Sequence, residues 1–146
     1  MYLNQKPSES LAVLGTIDPV SQGAATVTTG WVDAGQYFSL MALIQTGVLG
    51  AAATVDAKLQ QASDSGGTGV KDITGAAITQ IVKASGDAKQ AIINLRASQL
   101  DVEGGFRYVR LSLTVGTAAS LVSATLFGCY PRIAPVSNQA ATVQVV

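Results

Sequence analysis

No histidine occurs among the 146 residues, so the chain lacks the side chain most often used as a general base or transition-metal ligand near neutral pH. One cysteine, Cys129, stands between Gly128 and Tyr130 at the end of an apolar run. Alone it can complete neither an internal disulfide nor a zinc site of cysteine and histidine ligands. With no histidine to activate the thiol, it is expected to pack as a small hydrophobe.

The other polar groups with suggestive spacing read better as turns. Gly66-Gly67-Thr68-Gly69-Val70-Lys71-Asp72 has the look of a phosphate loop, but a P-loop needs Gly-Lys followed by Ser or Thr at the head of a helix. Here Val70 intervenes and Asp72 follows. Asp64 and Ser65 could offer oxygens to calcium, yet the alternating acidic ligands of an EF-hand loop are missing. Asp101 and Glu103 could act as acid and base from one side of an extended segment, but working pairs normally come from separate elements flanking a pocket. Gly104-Gly105 after them marks a solvated turn. A Ser-Lys hydrolase would show a Gly-x-Ser-x-Gly elbow or a Ser-x-x-Lys spacing, and neither occurs. The expectation is a non-enzyme with no catalytic residue, no cofactor and no metal.

Binding chemistry is sparse as well. Trp31, preceded by Gly30, and Tyr2, Tyr37, Tyr108 and Tyr130 are the rings with polar handles, suited to stacking on sugars or anchoring an interface. For Trp31 core packing is an equal alternative. Nine Lys and Arg balance nine Asp and Glu, and the basic residues run from Lys6 to Arg132 without a cluster. The counterion release that drives nucleic-acid binding is therefore missing, and no nucleic-acid partner is expected. Only 12% of residues are charged, against a usual share of about 25%. A surface so poor in charge is expected to be covered by another protein surface.

The elements that would carry such a surface alternate with period two. In Thr54 to Gln60, Val55, Ala57 and Leu59 share one face while Asp56 and Lys58 share the other. Phe106 to Val115 repeats this, with Val109, Leu111, Leu113 and Val115 inward and Tyr108, Arg110, Ser112 and Thr114 outward. Further strands are expected over Leu11 to Ile17, Ala25 to Val32, Tyr37 to Gln45, Ala77 to Val82, Gln90 to Leu95 and Leu121 to Tyr130. A helix over Ala84 to Leu100 is the alternative for its segment, but Ile92-Ile93 after Ser85-Gly86-Asp87 favour a strand after a turn.

Eight short strands with Gly-rich turns bury one face only if two sheets stack or one sheet closes. The expected fold is all-β, an antiparallel β-sandwich of jelly-roll type, with a small β-barrel as the alternative. Residues 11–131 form the sandwich domain, residues 1–10 an N-terminal arm, and residues 132–146, after Pro131 and around Pro135, an extended C-terminal arm. The most apolar stretch, Tyr37 to Ala53, is broken by polar residues and glycines and at about 17 residues is short for a membrane span. No membrane partner is expected. The N-terminus has no apolar region of a secretory signal, which predicts synthesis in a cytoplasm.

The run Ala57 to Ile73, then Gly105-Phe106-Arg107-Tyr108-Val109-Arg110, then Gly128-Cys129-Tyr130-Pro131-Arg132, resembles small head proteins of tailed bacteriophages, over about residues 37–135. Within that class the chain is most similar to capsid decoration or cement proteins. The resemblance implies a structural virion protein, often a homotrimer, that binds the phage major capsid protein from outside the head. It carries over no catalytic residue. A carbohydrate-binding or adhesion module on the virion surface, and a neck, tail or fibre protein, stay open beside it. Self-association is expected independently, because Met41 and Leu43 lie opposite Phe38, Leu40 and Ile44 on one strand and so give it two apolar faces. Candidate capsid or inter-subunit contacts are Tyr2, Leu3, Trp31, Val143, Val145 and Val146.

Overall fold

Side chains alternate between core and surface wherever the sequence alternates. In a computed structural model, which describes residues 4–146, β5 (Thr54–Ala62) buries Val55, Ala57 and Leu59, and β9 (Tyr108–Gly116) buries Val109, Leu111, Leu113 and Val115. These two strands pair in register from Thr54 opposite Gly116 to Ala62 opposite Tyr108. Their inward rows form half of the core.

The other half comes from β4 (Tyr37–Thr46) and β10 (Ser120–Pro131), whose Leu40, Ile44 and Leu126 are fully buried. Around these pairs lie β1 (Leu11–Gln22), β2 (Ala25–Thr28), β3 (Val32–Asp33), β6 (Lys71–Ala77), β7 (Ile81–Val82) and β8 (Gln90–Arg96). All pairings are antiparallel. One sheet has the order β1-β10-β4-β8 and the other β2-β9-β5-β6, with β3 and β7 as short additions to β9 and β5. The links from β1 to β2, β3 to β4, β4 to β5, β7 to β8, β8 to β9 and β9 to β10 each pass from one sheet to the other. This is the jelly-roll sandwich, and neither sheet closes on itself into a barrel.

Several strands differ from their sequence-based bounds for local reasons. β1 continues past Pro19 to Gln22 because the ladder breaks between Ile17 and Val20, where a residue without an N–H is tolerated. The segment 25–32 splits into β2 and β3, because Thr29 turns inward: its N–H donates to Leu111 O and its Oγ1 accepts from Leu111 N, both at 3.0 Å. The strand expected at 77–82 is mostly earlier, as β6. Gly75 there has a φ of +79°, so burial falls on Ile73 and Ala76 and the period of two is lost. A single helical turn, Lys83–Gly86, precedes β8, and no helix runs through 84–100.

At the chain's two ends, residues 7–10 make one helical turn before β1. Beyond Pro131 the chain runs back to the outer edge of β1. Val13 N donates to Asn138 Oδ1 and Gln139 N donates to Val13 O, each at 2.8 Å.

Candidate functional site

The glycine-rich run leads into strand β6, not a helix, so its amides have no helix terminus to join. Asp64 holds the turn itself, its Oδ1 accepting from Gly66 N at 2.9 Å and Thr68 N at 3.1 Å. The bonds from Thr68, with those from the glycine amides, keep its carboxyl below the ordinary range. Asp101 is likewise committed, to Lys71 Nζ at 2.5 Å and Gly104 N at 2.9 Å, and Glu103 beside it is exposed. Among the described residues no three Cys, Asp or Glu side chains gather closely enough to hold a metal ion. Burial pushes the Cys129 thiol above its ordinary pKa, which leaves it a poor nucleophile.

The two outer sheet faces differ in chemistry. On the β2-β9-β5-β6 face, charges and amides satisfy one another: Lys58 Nζ lies 2.7 Å from Asp72 Oδ2, Gln60 Nε2 donates to Asp72 Oδ1 at 2.9 Å, and Arg110 Nε donates to Gln60 Oε1 at 3.0 Å. Thr26 and Thr114 share a hydroxyl bond across the strands at 2.7 Å. Trp31 belongs to this side. The Arg110 guanidinium covers its ring at 4.6 Å, and Gly67 lies so close that a Cβ there would be 2.5 Å from the indole nitrogen. Trp31 is thus clamped and half-buried, a use between core packing and open stacking.

On the β1-β10-β4-β8 face the register sets Val13, Phe127, Met41 and Asn94 in one row and Thr16, Thr125, Leu43 and Ile92 in the next. A third row holds Leu11, Cys129, Ser39 and, at its end, Arg96, the one charge in the three rows. Ile92 is 56% exposed, and Met41, Leu43 and Phe127 are partly exposed. Period-two reasoning had found Met41 and Leu43; it missed Phe127 and Ile92 because only strand order shows that they are neighbours.

Of the other expected contact residues, Val143 and Val146 are 94% and 95% exposed and Val145 is exposed too. Tyr2 and Leu3 lie outside the described residues.

A cleft of about 790 Å³ opens at one end of the sandwich. Phe38, Leu100, Val102 and Phe106 give it apolar walls, and Arg96, Arg107 and Arg132 reach it from three separate elements. The scattered basic residues of the sequence are therefore partly gathered by the fold. The Arg132 guanidinium lies 4.2 Å over the Phe38 ring, and Lys71 Nζ lies 3.9 Å over Phe106. Arg107 is neutralised by Asp33. Arg96 and Arg132 have no carboxylate within ion-pair reach among the described residues.

No family model matches the chain, and no curated protein does. Solved structures resemble it distantly. The CBM22-2 xylan-binding domain of Paenibacillus barcinonensis Xyn10C is 10% identical with a TM-score of 0.46, covering 85% of this chain and 89% of that one. A CBM4 domain is 11% identical with a TM-score of 0.41 over 75% of this chain, which spans 62% of that domain's length. A chain of the Cowpea Mosaic Virus empty particle is 8% identical with a TM-score of 0.39, covering 99% and 95%. Likenesses at these scores do not bear on what the chain binds.

Proposed function

We propose that this chain is a structural protein of the virion, a capsid decoration protein that docks on the major capsid lattice through the outer face of the β1-β10-β4-β8 sheet. The observation that carries the reading is the contrast between the two outer faces. One is internally paired and suited to water; the other presents Met41, Leu43, Phe127 and Ile92 with almost no charge. The largest apolar patch on a protein surface is often its contact surface.

Magnitude decides how such docking would work. Four strands about 4.8 Å apart, paired over about seven residues, give roughly 350 Å² of projected face. A stable two-body interface takes about 800 Å² from each partner. One copy would hold weakly, while several linked copies would hold through effective concentration. The exposed valines at 143, 145 and 146 supply a link: laid on a neighbouring copy, they make a head-to-tail contact, and a rotation of about 120° between copies would close it into a trimer. Binding to the assembled shell but not to its free subunits then stabilises the head by mass action, with no covalent step.

The test is addition of purified protein to heads of the encoding phage stripped of their outer proteins. Saturable co-sedimentation with a raised disruption temperature is the expected result. Absence of binding at micromolar protein would reject the reading.

A further inference from the structure

We infer that the cleft at the end of the sandwich recognises an acidic extended segment of a partner protein, one that sets an apolar side chain next to a carboxylate. This goes beyond the docking face, with which the cleft shares only Ser39 and Arg96 at its rim, since its apolar walls and Arg132 are separate and its chemistry is different.

The charged groups point to the carboxylate. Arg96 closes β8, and its backbone partner across the ladder is Ser39; Arg132 follows β10 and stacks on Phe38, the residue beside Ser39. Two guanidiniums without acidic partners thus serve one cleft. A guanidinium offers several N–H donors in a planar fork that fits a carboxylate, and it accepts nothing. Apart from these two and Arg107, which Asp33 already holds, the polar side chains of the lining are the hydroxyls of Ser39 and Ser98; no carboxylate or carboxamide side chain lines the cleft.

That donor-rich lining separates the ligand classes. A neutral sugar presents hydroxyl hydrogens as well as oxygens, and here its hydrogens would find no side-chain acceptor but two serines. An acceptor-only group suits the site. The walls add the second requirement: Phe38, 55% exposed, with Leu100, Val102 and Phe106, offers an apolar side chain a place to leave water. The volume of about 790 Å³ is far more than one small anion fills and lies within the usual span of ligand pockets, about 300–1,000 Å³. A peptide carrying both groups on neighbouring residues fits; an isolated phosphate leaves the walls bare.

Titration of the isotope-labelled protein with the blocked peptide Gly-Glu-Leu-Asp-Gly, followed by amide chemical shifts, tests this. Saturable shifts confined to Ala97, Ser98, Val102, Gly105 and their neighbours are expected, with the peptide Gly-Gln-Leu-Asn-Gly at least tenfold weaker. Arg96→Gln and Arg132→Gln should each weaken the acidic peptide about tenfold, with the remaining spectrum unchanged because both side chains lie on the surface. Equal binding of the two peptides, or no saturable shift at millimolar peptide, overturns the inference. Binding of tri-galacturonate in place of the acidic peptide overturns it too, in favour of an acidic glycan.

Discussion

Arg107 grips Asp33 with two parallel bonds, Nε to Oδ1 and Nη2 to Oδ2, each 2.6 Å long, across 74 positions of sequence. The same carboxylate accepts from Gly35 N at 2.9 Å and Gln36 Nε2 at 3.1 Å, so it also caps the short turn that leads into β4. The pair fixes one wall of the end cleft, because Gly35 and Arg107 both line it.

Burial pushes the Asp33 carboxyl up, but the bonds from Arg107, Gln36 and Gly35 together outweigh it and hold the group below its ordinary range. A depressed folded pKa contributes stability that is full above the unfolded value, about 3.9, and is lost as pH falls through the folded value. The midpoint of thermal unfolding should therefore drop on acidification below about pH 4, and Asp33→Asn should remove part of that drop while lowering the midpoint by a few degrees at pH 7. Calorimetry from pH 2 to 7 measures both, and an acid profile unchanged in the variant would show that the pair is too screened to matter.

How far the fold was legible follows from where the alternation holds. β5 and β9 were readable residue by residue because charges mark their outer rows. β6 was not, since Gly75 shifts the burial period and Lys71 and Asp72 look like loop residues until their partners Asp101 and Lys58 are in place. The cleft was invisible: Arg96, Arg107 and Arg132 are isolated in sequence, and only strand order brings them to one end of the sandwich. The apolar outer face was half legible, through Met41 and Leu43 on one strand.

Thr29 shows a second thing the sequence hides, a side chain standing in for a strand partner. Thr29→Val keeps the shape but leaves the buried Leu111 N–H without its acceptor at Oγ1. The expected cost is about 1–3 kcal/mol, read from denaturant unfolding. Thr29→Ser retains the oxygen and should recover most of it; a larger loss in the serine variant than in the valine variant would assign the effect to the missing methyl packing instead.

Gly128 marks a close approach of the two central strands' side chains. A Cβ there would lie 2.5 Å from Tyr37 Cε1 and 2.6 Å from Cζ, and Tyr37 is buried, so its ring has little room to retreat. Gly128→Ala should destabilise by about 1–3 kcal/mol through overpacking. Tyr37→Leu introduced together with it should restore part of the loss, and strict additivity of the two changes would argue that they do not meet.

The docking face can be tested without disturbing the core. Ile92 is exposed and its neighbours in the row are Leu43 and Thr125, so Ile92→Lys should change stability by no more than about 0.5 kcal/mol. It places a charge at the β8 end of the apolar rows, which an interface there would have to desolvate. Loss of head binding with an unchanged melting curve and an unchanged oligomer is the expected pattern in co-sedimentation and sedimentation velocity. Undiminished binding would move the docking surface elsewhere.

The C-terminal residues divide into a part that is held and a part that is free, and the two should fail differently. Asn138 and Gln139 satisfy both polar groups of Val13 at the edge of β1, where an unpaired strand edge would otherwise invite other chains. Asn138→Ala removes the side-chain half of that contact, so it should lower thermal stability and leave assembly intact. Val143 and Val146 point into solvent and Val145 is more than half exposed, so they add little to the fold of one copy. Deleting residues 143–146 should therefore leave the melting curve of the monomer in place, and sedimentation velocity should show the proposed trimer falling to smaller species at micromolar concentration. A trimer that survives this deletion would mean that the copies join through another surface, and a monomer that melts earlier would mean that the valines pack on their own sandwich in solution.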